Sequence, residues 1–545
     1  MSFIEAIFRS DTVSGLPAVW RNHSTAKYHI FESDFGTVSL RKRTAYPATF
    51  AAVHGSTLYF GYGDGDVGQT IVRQPLAGVS ETVFYDAEFL LVVADARMQT
   101  VTVQRDALST LPLFAGTEPG RLVLSNLFEK VCELLTRAPL TLDAVALAEI
   151  LTSLPTYDRT ICNEIKLLYD RVRLTWSQGG HTIWRPAHAA RLHNGQTPQS
   201  DIRQLATHLE GTITNYQRRY ANGMPFGCDL SGGMDSALVV GYLRDSGHNP
   251  ITSTMLLPGS FGEAQTSKIT ALHQRFTLNG IARRLDAERH YPLDFLAESG
   301  VRPFYHYQLF AHFGANDELL QDLAGYSVTS LFNGHGGDEL CDMTADYRPV
   351  IYEDLYAHHQ SRNRLQSLGR TSWTPAFANY FAAAAHTAQL QTPRQLPLVT
   401  ATMANAMAMA SPKTFDYNIW PVAPLANPGL YRYCQGLPIR YRHNRNLTRM
   451  YLQARRFPAI IYGHATEHFN EHYFAAVMQH LSPLLHHYLS CSVLAQYALI
   501  DAKALLVAFN QLRQLTYQKG VEDFVFKLVT ILGLEINLQA LGLHP

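Results

Sequence analysis

The sequence predicts a two-domain chain, α+β in its first part and α/β in its second, and three observations carry that expectation. Residues 1 to about 190 are dominated by short alternating segments separated by turns rich in Gly, Asp and Pro. Beyond them, strand-like runs alternate with helical ones, which is the pattern of a doubly wound parallel sheet. Two glycine turns, Ser231-Gly232-Gly233 and Gly334-His335-Gly336-Gly337, each follow a strand-like run in that second part. The expected division is residues 1–192 and 193–545, with the polar stretch His193–Asp201 as the linker.

Each element rests on its own text. Ser56–Phe60, Phe89–Ala94, Thr100–Val103 and Arg121–Leu124 alternate as half-buried strands do, and a helix is expected around Leu142–Thr152. The first domain is therefore mainly antiparallel. In the second, a helix over Ile202–Arg218 precedes a short strand within Met224–Leu230. Ala237–Leu243 then reads as a helix with Leu238, Tyr242 and Leu243 on one face. Ile251–Leu257 and Tyr326–Phe332 read as further buried strands, with helical text from Ala264 onward. After Tyr347 helix dominates, in alanine-rich stretches such as Phe381–Ala388 and Ala401–Ala410, interrupted near Trp420–Leu425.

Composition narrows the class. A chain of 545 residues is too long for one core, and 46% hydrophobic with 17% charged residues describes a folded globular protein. Lys+Arg and Asp+Glu are equal at 45 each, so no overall field draws nucleic acid or an anionic membrane, and neither is expected as a partner. The six cysteines lie far apart without a C-x-x-C pair, which suggests reduced thiols and a cytoplasmic setting. Neither a signal-peptide pattern nor an apolar run long enough to span a membrane is read.

The chemistry lies in the two turns. Gly232 and Gly233 between a strand and a helix let backbone approach a phosphate closely, and free N–H groups at a helix start favour an anion. Ser231 and Ser236 add hydroxyl donors, and Asp235 can ligate a magnesium ion that bridges phosphates. The signal says pyrophosphate, from ATP; it is not the P-loop, because no Gly-Lys-Ser/Thr follows. A turn between two buried elements would use the same glycines, so the second motif matters. Asn333–Glu339 supplies Gly334, Gly336 and Gly337 together with Asp338 and Glu339, again at a strand's end. Ligands of open α/β sheets bind outside the carboxyl ends of strands, so Asp235 and Asp338 are expected to share one Mg–ATP site.

These residues resemble the asparagine synthetase family over most of the chain. Ser231–Ser236 matches its S-G-G-x-D-S, and Gly334–Glu339 its G-x-G-G/S-D-E. Pro424-Leu425 with Asn427-Pro428 is similar to a degraded P-F-L-D-P, and Phe457–Ile461 stands where a leucine-proline helix break is usual. Earlier, Arg105-Asp106 with Leu111–Phe114 resembles R-D-x-x-G-x-x-P-L-Y, and Leu124–Asn126 the later S-E. The resemblance implies a glutaminase-like β-sandwich of the N-terminal-nucleophile type, followed by an ATP-pyrophosphatase-type synthetase domain with added helices. ATP and Mg2+ are the cofactors it implies.

Departures from the family pattern sharpen the expectation. A family glutaminase needs an N-terminal cysteine, but Ser2 follows Met1, and Cys132 is the first cysteine. A thiolate is far more nucleophilic than an unactivated hydroxyl, so glutamine hydrolysis is expected to be lost and the first domain to be degenerate. An amine already present in the substrate then replaces ammonia. The β-lactam synthetases of the family carry a tyrosine three residues before the second aspartate, where this chain has His335. The family lysine would fall near Thr466, within His464–Phe469, and is absent.

The resemblance therefore points to a lasso-peptide cyclase, a macrolactam synthetase of peptide-antibiotic biosynthesis and a carbon–nitrogen ligase. It would adenylate an Asp or Glu side chain of a precursor core peptide, and the peptide's N-terminal amine would then displace AMP. A leader-binding protein and a leader peptidase are the partners it implies. The alternatives are a β-lactam synthetase-like enzyme, an ammonia-dependent asparagine synthetase, or a peptide-binding scaffold without activity.

Three side chains are candidates for catalysis. His335 could accept the amine's proton or donate to the acyl oxygen, or it could simply shape its loop. Glu339 could act as a base or satisfy helix N–H groups, and Glu263 follows the Ile251–Leu257 strand where the family often has an acidic residue. His464 and His468 read better as structural or surface residues, and Cys228 and Cys341 as small buried ones.

Overall fold

A computed structural model describes residues 3–10, 19–63, 88–136, 139–151, 158–184, 202–286, 288–294, 296, 313–341, 413–463, 470–514, 517 and 522–543. The first part supplies thirteen strands: β1 (Ile4–Arg9), β2 (Arg21–Asn22), β3 (Tyr28–Ser33), β4 (Gly36–Arg41), β5 (Ala48–His54), β6 (Thr57–Gly63) and β7 (Leu90–Asp95), then β8 (Thr100–Arg105), β9 (Phe114–Glu118), β10 (Arg121–Ser125), β11 (Ile165–Leu167), β12 (Arg173–Ser177) and β13 (Gly180–Trp184). They form a seven-stranded sheet in the order β11-β9-β10-β1-β4-β3-β2 and a six-stranded sheet in the order β13-β12-β8-β7-β6-β5. The pairings are antiparallel, as the alternating text predicts.

Strand β10 shows why the alternation reads unevenly. All five of its residues are buried, because its two faces meet different cores. Leu122 and Leu124 enter the core that both sheets share, whereas Val123 packs with Phe128 and Val131 of helix α1 (Phe128–Leu134). The expected helix near Leu142 is α2 (Ala144–Leu151), begun by the Asp143 carboxylate, which accepts from the Ala146 N–H at 2.9 Å.

The second part builds a five-stranded parallel sheet from β14 (Phe226–Asp229), β15 (Ile251–Leu256), β16 (Asn279–Arg284), β17 (Ser330–Phe332) and β18 (Trp420–Val422). Its order is β16-β15-β14-β17-β18. The chain thus lays strands outward on one side of β14, then returns to lay β17 and β18 on the other. That reversal between β14 and β17 is the topological switch point at which such sheets bind ligands.

The connecting helices are α3 (Ile202–Tyr220), α4 (Met234–Asp245), α5 (Gly259–Phe276), α6 (Phe313–Gly325) and α7 (Gly337–Leu340). Three details differ from the sequence reading. Helix α4 is buried nearly all round, with Ala237, Val239, Val240 and Gly241 as hidden as Leu238, so one apolar face was too narrow an expectation. The Tyr326–Phe332 strand shrinks to β17, because α6 runs on to Gly325 and Ser327 turns at φ 57°. Trp420–Val422, read as an interruption between helices, is an edge strand; an edge tolerates Pro421, which has no N–H to donate.

Later helices include α8 (Asn446–Ala454), α9 (Asn470–His480), α10 (Ser482–Ser490), α11 (Ala502–Leu512) and α12 (Glu522–Ala540). Two cores draw on both parts of the chain. One core joins Phe3, Leu58 and Val92 to Leu238 and Trp420, and another joins Phe128 and Leu147 to Tyr473, Leu485, Phe509 and Leu532. Trp420 sits at the first junction with ring centroids 4.9 Å from Phe415 and 5.1 Å from Tyr62, contacts worth about 0.5–1.5 kcal/mol each beyond their buried area.

The six cysteines are free thiols, five of them buried. Among the described residues no helix is long and apolar enough to cross a membrane. The linker His193–Asp201 and the stretches Phe381–Ala388 and Ala401–Ala410 lie outside the described residues.

Candidate active site

The first glycine turn leaves β14 and enters α4. No side chain caps α4, so the N–H groups of its first turn remain available to an anion. Ser236 is buried and holds the turn from within: its Oγ accepts from the Ser231 N–H at 3.2 Å and lies 3.0 Å from Ser231 Oγ. Ser231 and Gly233 are exposed, while Gly232 is buried behind them. Gln265 of α5, itself buried, braces the turn by donating to the carbonyls of Ser231 at 3.1 Å and Met255 at 2.7 Å.

The second turn leaves β17 and packs directly on the first. A side chain at Gly337 would overlap the Asp235 carboxyl, and one at Gly334 would crowd the backbone between Asp235 and Ser236. Gly336 has φ 95° and a Cβ there would press on the backbone of Leu425 and Ala426, so only glycine fits. Asn333 is buried, and its Oδ1 accepts from the His335 N–H at 3.1 Å, which sets the loop's first bend.

The two aspartates meet. Arg445, in the left-handed region at φ 57° just before α8, places its guanidinium between them. One nitrogen contacts Asp235 Oδ2, and the other lies 2.9 Å from Asp338 Oδ1. Asp235 Oδ1 is buried without a hydrogen-bond partner. Burial pushes the Asp235 carboxyl up to about 6, opposed by Arg445 and reinforced by Asp338. Asp338 stands largely exposed at the cavity.

A cavity of about 410 Å³ opens over both turns. Ser231, Gly233, Asp235, Ser236, Gly334, His335, Gly336, Asp338 and Glu339 line it, joined by Asp229, Ser253, Met255, Asn316 and Leu319. His335 is exposed to the cavity it lines, and the partial desolvation there lowers its pKa, leaving the imidazole neutral near pH 7. Glu339 lies in the first turn of α7. Glu263 is not brought in: it is exposed on α5 outside the lining, while Gln265, two residues on and so on roughly the opposite side of the helix, faces the turn. Thr466, His464 and His468 lie outside the described residues.

Four carboxylates line this cavity, a setting hostile to a polyphosphate unless a cation accompanies it. The donor set suits magnesium. Two carboxylates already converge on one positive group, and a buried oxygen of Asp235 lacks a partner. Magnesium takes few carboxylates and completes its shell with phosphate oxygens. Asp235 and Asp338 are the residues that would hold it.

Arg445 was missed in the sequence, although the basic run Arg440-Tyr441-Arg442-His443-Asn444-Arg445 was there to be paired with two lone aspartates.

A parallel sheet whose switch point carries two glycine turns and a pair of aspartates defines a phosphate-binding site of the nucleotide-activating class. Residues 215–413, which contain both turns, match the asparagine synthase family model. That match supports membership of the asparagine synthetase family and indicates ATP-dependent amide-bond ligase chemistry in general. No curated protein matches the chain. A solved structure with some likeness is glutamine phosphoribosylpyrophosphate (PRPP) amidotransferase from B. subtilis, complexed with ADP and GMP. It shares 9% identity at a TM-score of 0.20, over 55% of this chain and 87% of that one.

Proposed function

We propose that this protein is an AMP-forming, ATP-dependent macrolactam synthetase acting on a lasso-type precursor peptide. The observation that carries the reading is the convergence of Asp235 and Asp338, both within the stretch matching the asparagine synthase family, on the Arg445 guanidinium at the switch point. The fold of the remainder, a degenerate glutaminase-like domain over 1–192 before a synthetase domain over 193–545, belongs to the same proposal. So do the cytoplasmic setting and the leader-binding and leader-cleaving partners.

In the proposed reaction an Asp or Glu carboxylate oxygen of the peptide attacks the α-phosphorus of ATP. The α–β anhydride bond breaks, pyrophosphate leaves, and an acyl-adenylate remains. Magnesium, when bound, would neutralise charge on the phosphates. The turn N–H groups and the hydroxyl of Ser231 would orient them. The peptide's α-amine then attacks the acyl carbon, AMP departs with the bonding electrons, and the amide closes the ring.

An α-amine has a pKa near 8, so much of it is neutral at cellular pH and orientation is the larger demand. Neutral His335, at the cavity wall, is suited to accept the proton the amine releases; Glu339 is the second candidate.

The test is incubation of the full chain with Mg-ATP and peptides bearing a small first residue and an Asp or Glu several residues on. Loss of one water from the peptide, with AMP and pyrophosphate formed in equal amount, is expected. Asparagine made from aspartate and ammonia, with every peptide untouched, would overturn the cyclase reading.

A further inference from the structure

The cavity extends past the phosphate-binding turns to a carboxylate that the proposed chemistry leaves unused. We propose that Asp229, held by Ser253, reads the ribose of the bound nucleotide, its second carboxylate oxygen accepting a ribose hydroxyl. This inference rests on the ATP reading above and deepens it.

Position is the first argument. Asp229 ends β14 two residues before Ser231, so it stands roughly 6–7 Å from the first turn along the strand. Ser253 is its register partner on β15. The second turn follows β17, on the other side of β14. Neighbouring strands are about 4.8 Å apart, so the distance from β17 to β15 is about 10 Å. That distance is comparable to the separation of a ribose from the outer phosphates of a nucleoside triphosphate. A triphosphate gripped between the two turns therefore directs its nucleoside toward β15.

Chemistry is the second argument. Ser253 is buried and its Oγ donates to Asp229 Oδ1 at 2.5 Å. No hydrogen bond reaches Oδ2 among the described residues, and Asp229 lines the cavity. A carboxylate taken out of water is costly unless donors surround it, and here burial pushes the group up to about 6 while Ser253 supplies one donor. A ribose hydroxyl supplies another. Met255 and Leu319 line the same cavity as apolar surface for a ring, with the Asn316 amide beside them.

The competing account is that Asp229 and Ser253 merely tie β14 to β15, and calorimetry separates the two. Binding of ATP, 2′-deoxyATP, 3′-deoxyATP and inorganic tripolyphosphate, each with Mg2+, is measured on the wild-type chain, Asp229→Asn and Ser253→Ala. A hydrogen bond to a charged group is worth about 1.5–3 kcal/mol, so the wild type is expected to favour ATP over one deoxy analogue about tenfold or more. Asp229→Asn is expected to lose that preference and to bind tripolyphosphate as the wild type does, which also shows that the site has folded. If Asp229→Asn does not fold, Ser253→Ala, which leaves the carboxylate but loosens it, is expected to narrow the preference. Equal wild-type affinity for all three nucleotides, or undiminished preference in the variants, overturns the inference while leaving the ATP reading intact. Failure of the wild type to bind any nucleotide overturns both.

Discussion

Two arginine–carboxylate clusters sit at opposite ends of β17 and β18, and they differ in what their charges are free to do. At the amino ends, Arg43 donates to the carbonyls of Asn418 and Thr329 at 2.9 Å each and of Tyr46 at 3.2 Å, with its guanidinium over the Trp420 ring. Glu88 accepts there from Trp420 Nε1 at 3.1 Å and from the Tyr220 hydroxyl. Both side chains are buried, and their partners come from both parts of the chain. At the carboxyl ends, Arg445 bonds two side-chain carboxylates, which open onto a cavity and, among the described residues, leave one oxygen unpaired. Backbone carbonyls fixing Arg43 and buried side-chain donors fixing Glu88 make the first cluster a joint. Carboxylates held by one movable side chain make the second able to exchange its cation for another.

The largest effect expected from this contrast is on turnover. Asp235→Ala and Asp338→Ala should each abolish ATP–pyrophosphate exchange. Neither should unfold the protein, because the Asp235 carboxyl raised to about 6 by burial is already a strained ion. Substantial residual exchange in either variant would mean that the metal site is elsewhere.

The joint should behave in the opposite way. Glu88→Ala orphans the Tyr220 and Trp420 donors and leaves a void, a loss of about 2–5 kcal/mol in chemical denaturation, with nucleotide affinity in the surviving folded protein little changed. A Glu88 variant that unfolds no more readily than the wild type would erase the distinction.

Arg445→Gln should have a smaller effect on stability, since a half-buried pair of this kind is partly screened by solvent. Its measurable consequence should be weaker Mg-ATP binding, by about tenfold if the freed guanidinium turns to phosphate. Unchanged affinity would assign Arg445 to holding the apo site alone.

A further expected effect is a pH slope. Burial first, and then the nearby Asp106, push Glu88 up to about 8 from an ordinary 4.5, so the folded chain binds more protons than the unfolded one between those values. Stability is therefore fully present below about 4.5 and falls as pH rises toward 8; Asp106, raised mainly by burial, acts in the same direction. Tyr220, Tyr216, Arg105, Tyr62 and Arg43 are further charged or titratable groups near this joint. Glu88→Gln should flatten the slope in urea titrations, and an unaltered slope would place it on other groups.

The contrast also shows what the sequence could disclose. Both glycine turns and their aspartates were legible because the chemistry needs particular residues at short spacing, and β14 and β15 because each is a short run followed by a turn and helical text. β16 was not legible: Asn279–Arg284 is mostly exposed and carries no alternation to read. β18 was hidden by Pro421, which argues for strand only once an edge is known. Arg445 and Gln265 reach the site from elements far along the chain or behind the turn, and no local pattern marks a side chain whose partner is set by tertiary packing. Glu263 illustrates the converse, a position two residues from the side chain that does face the site.

The shared ion is best tested by a double-mutant cycle on Mg-ATP binding with Asp235→Asn, Asp338→Asn and the combination, read by calorimetry. If one ion links the two carboxylates, the double variant should bind no more weakly than the weaker single variant. Losses that simply add would show two independent sites and contradict the account.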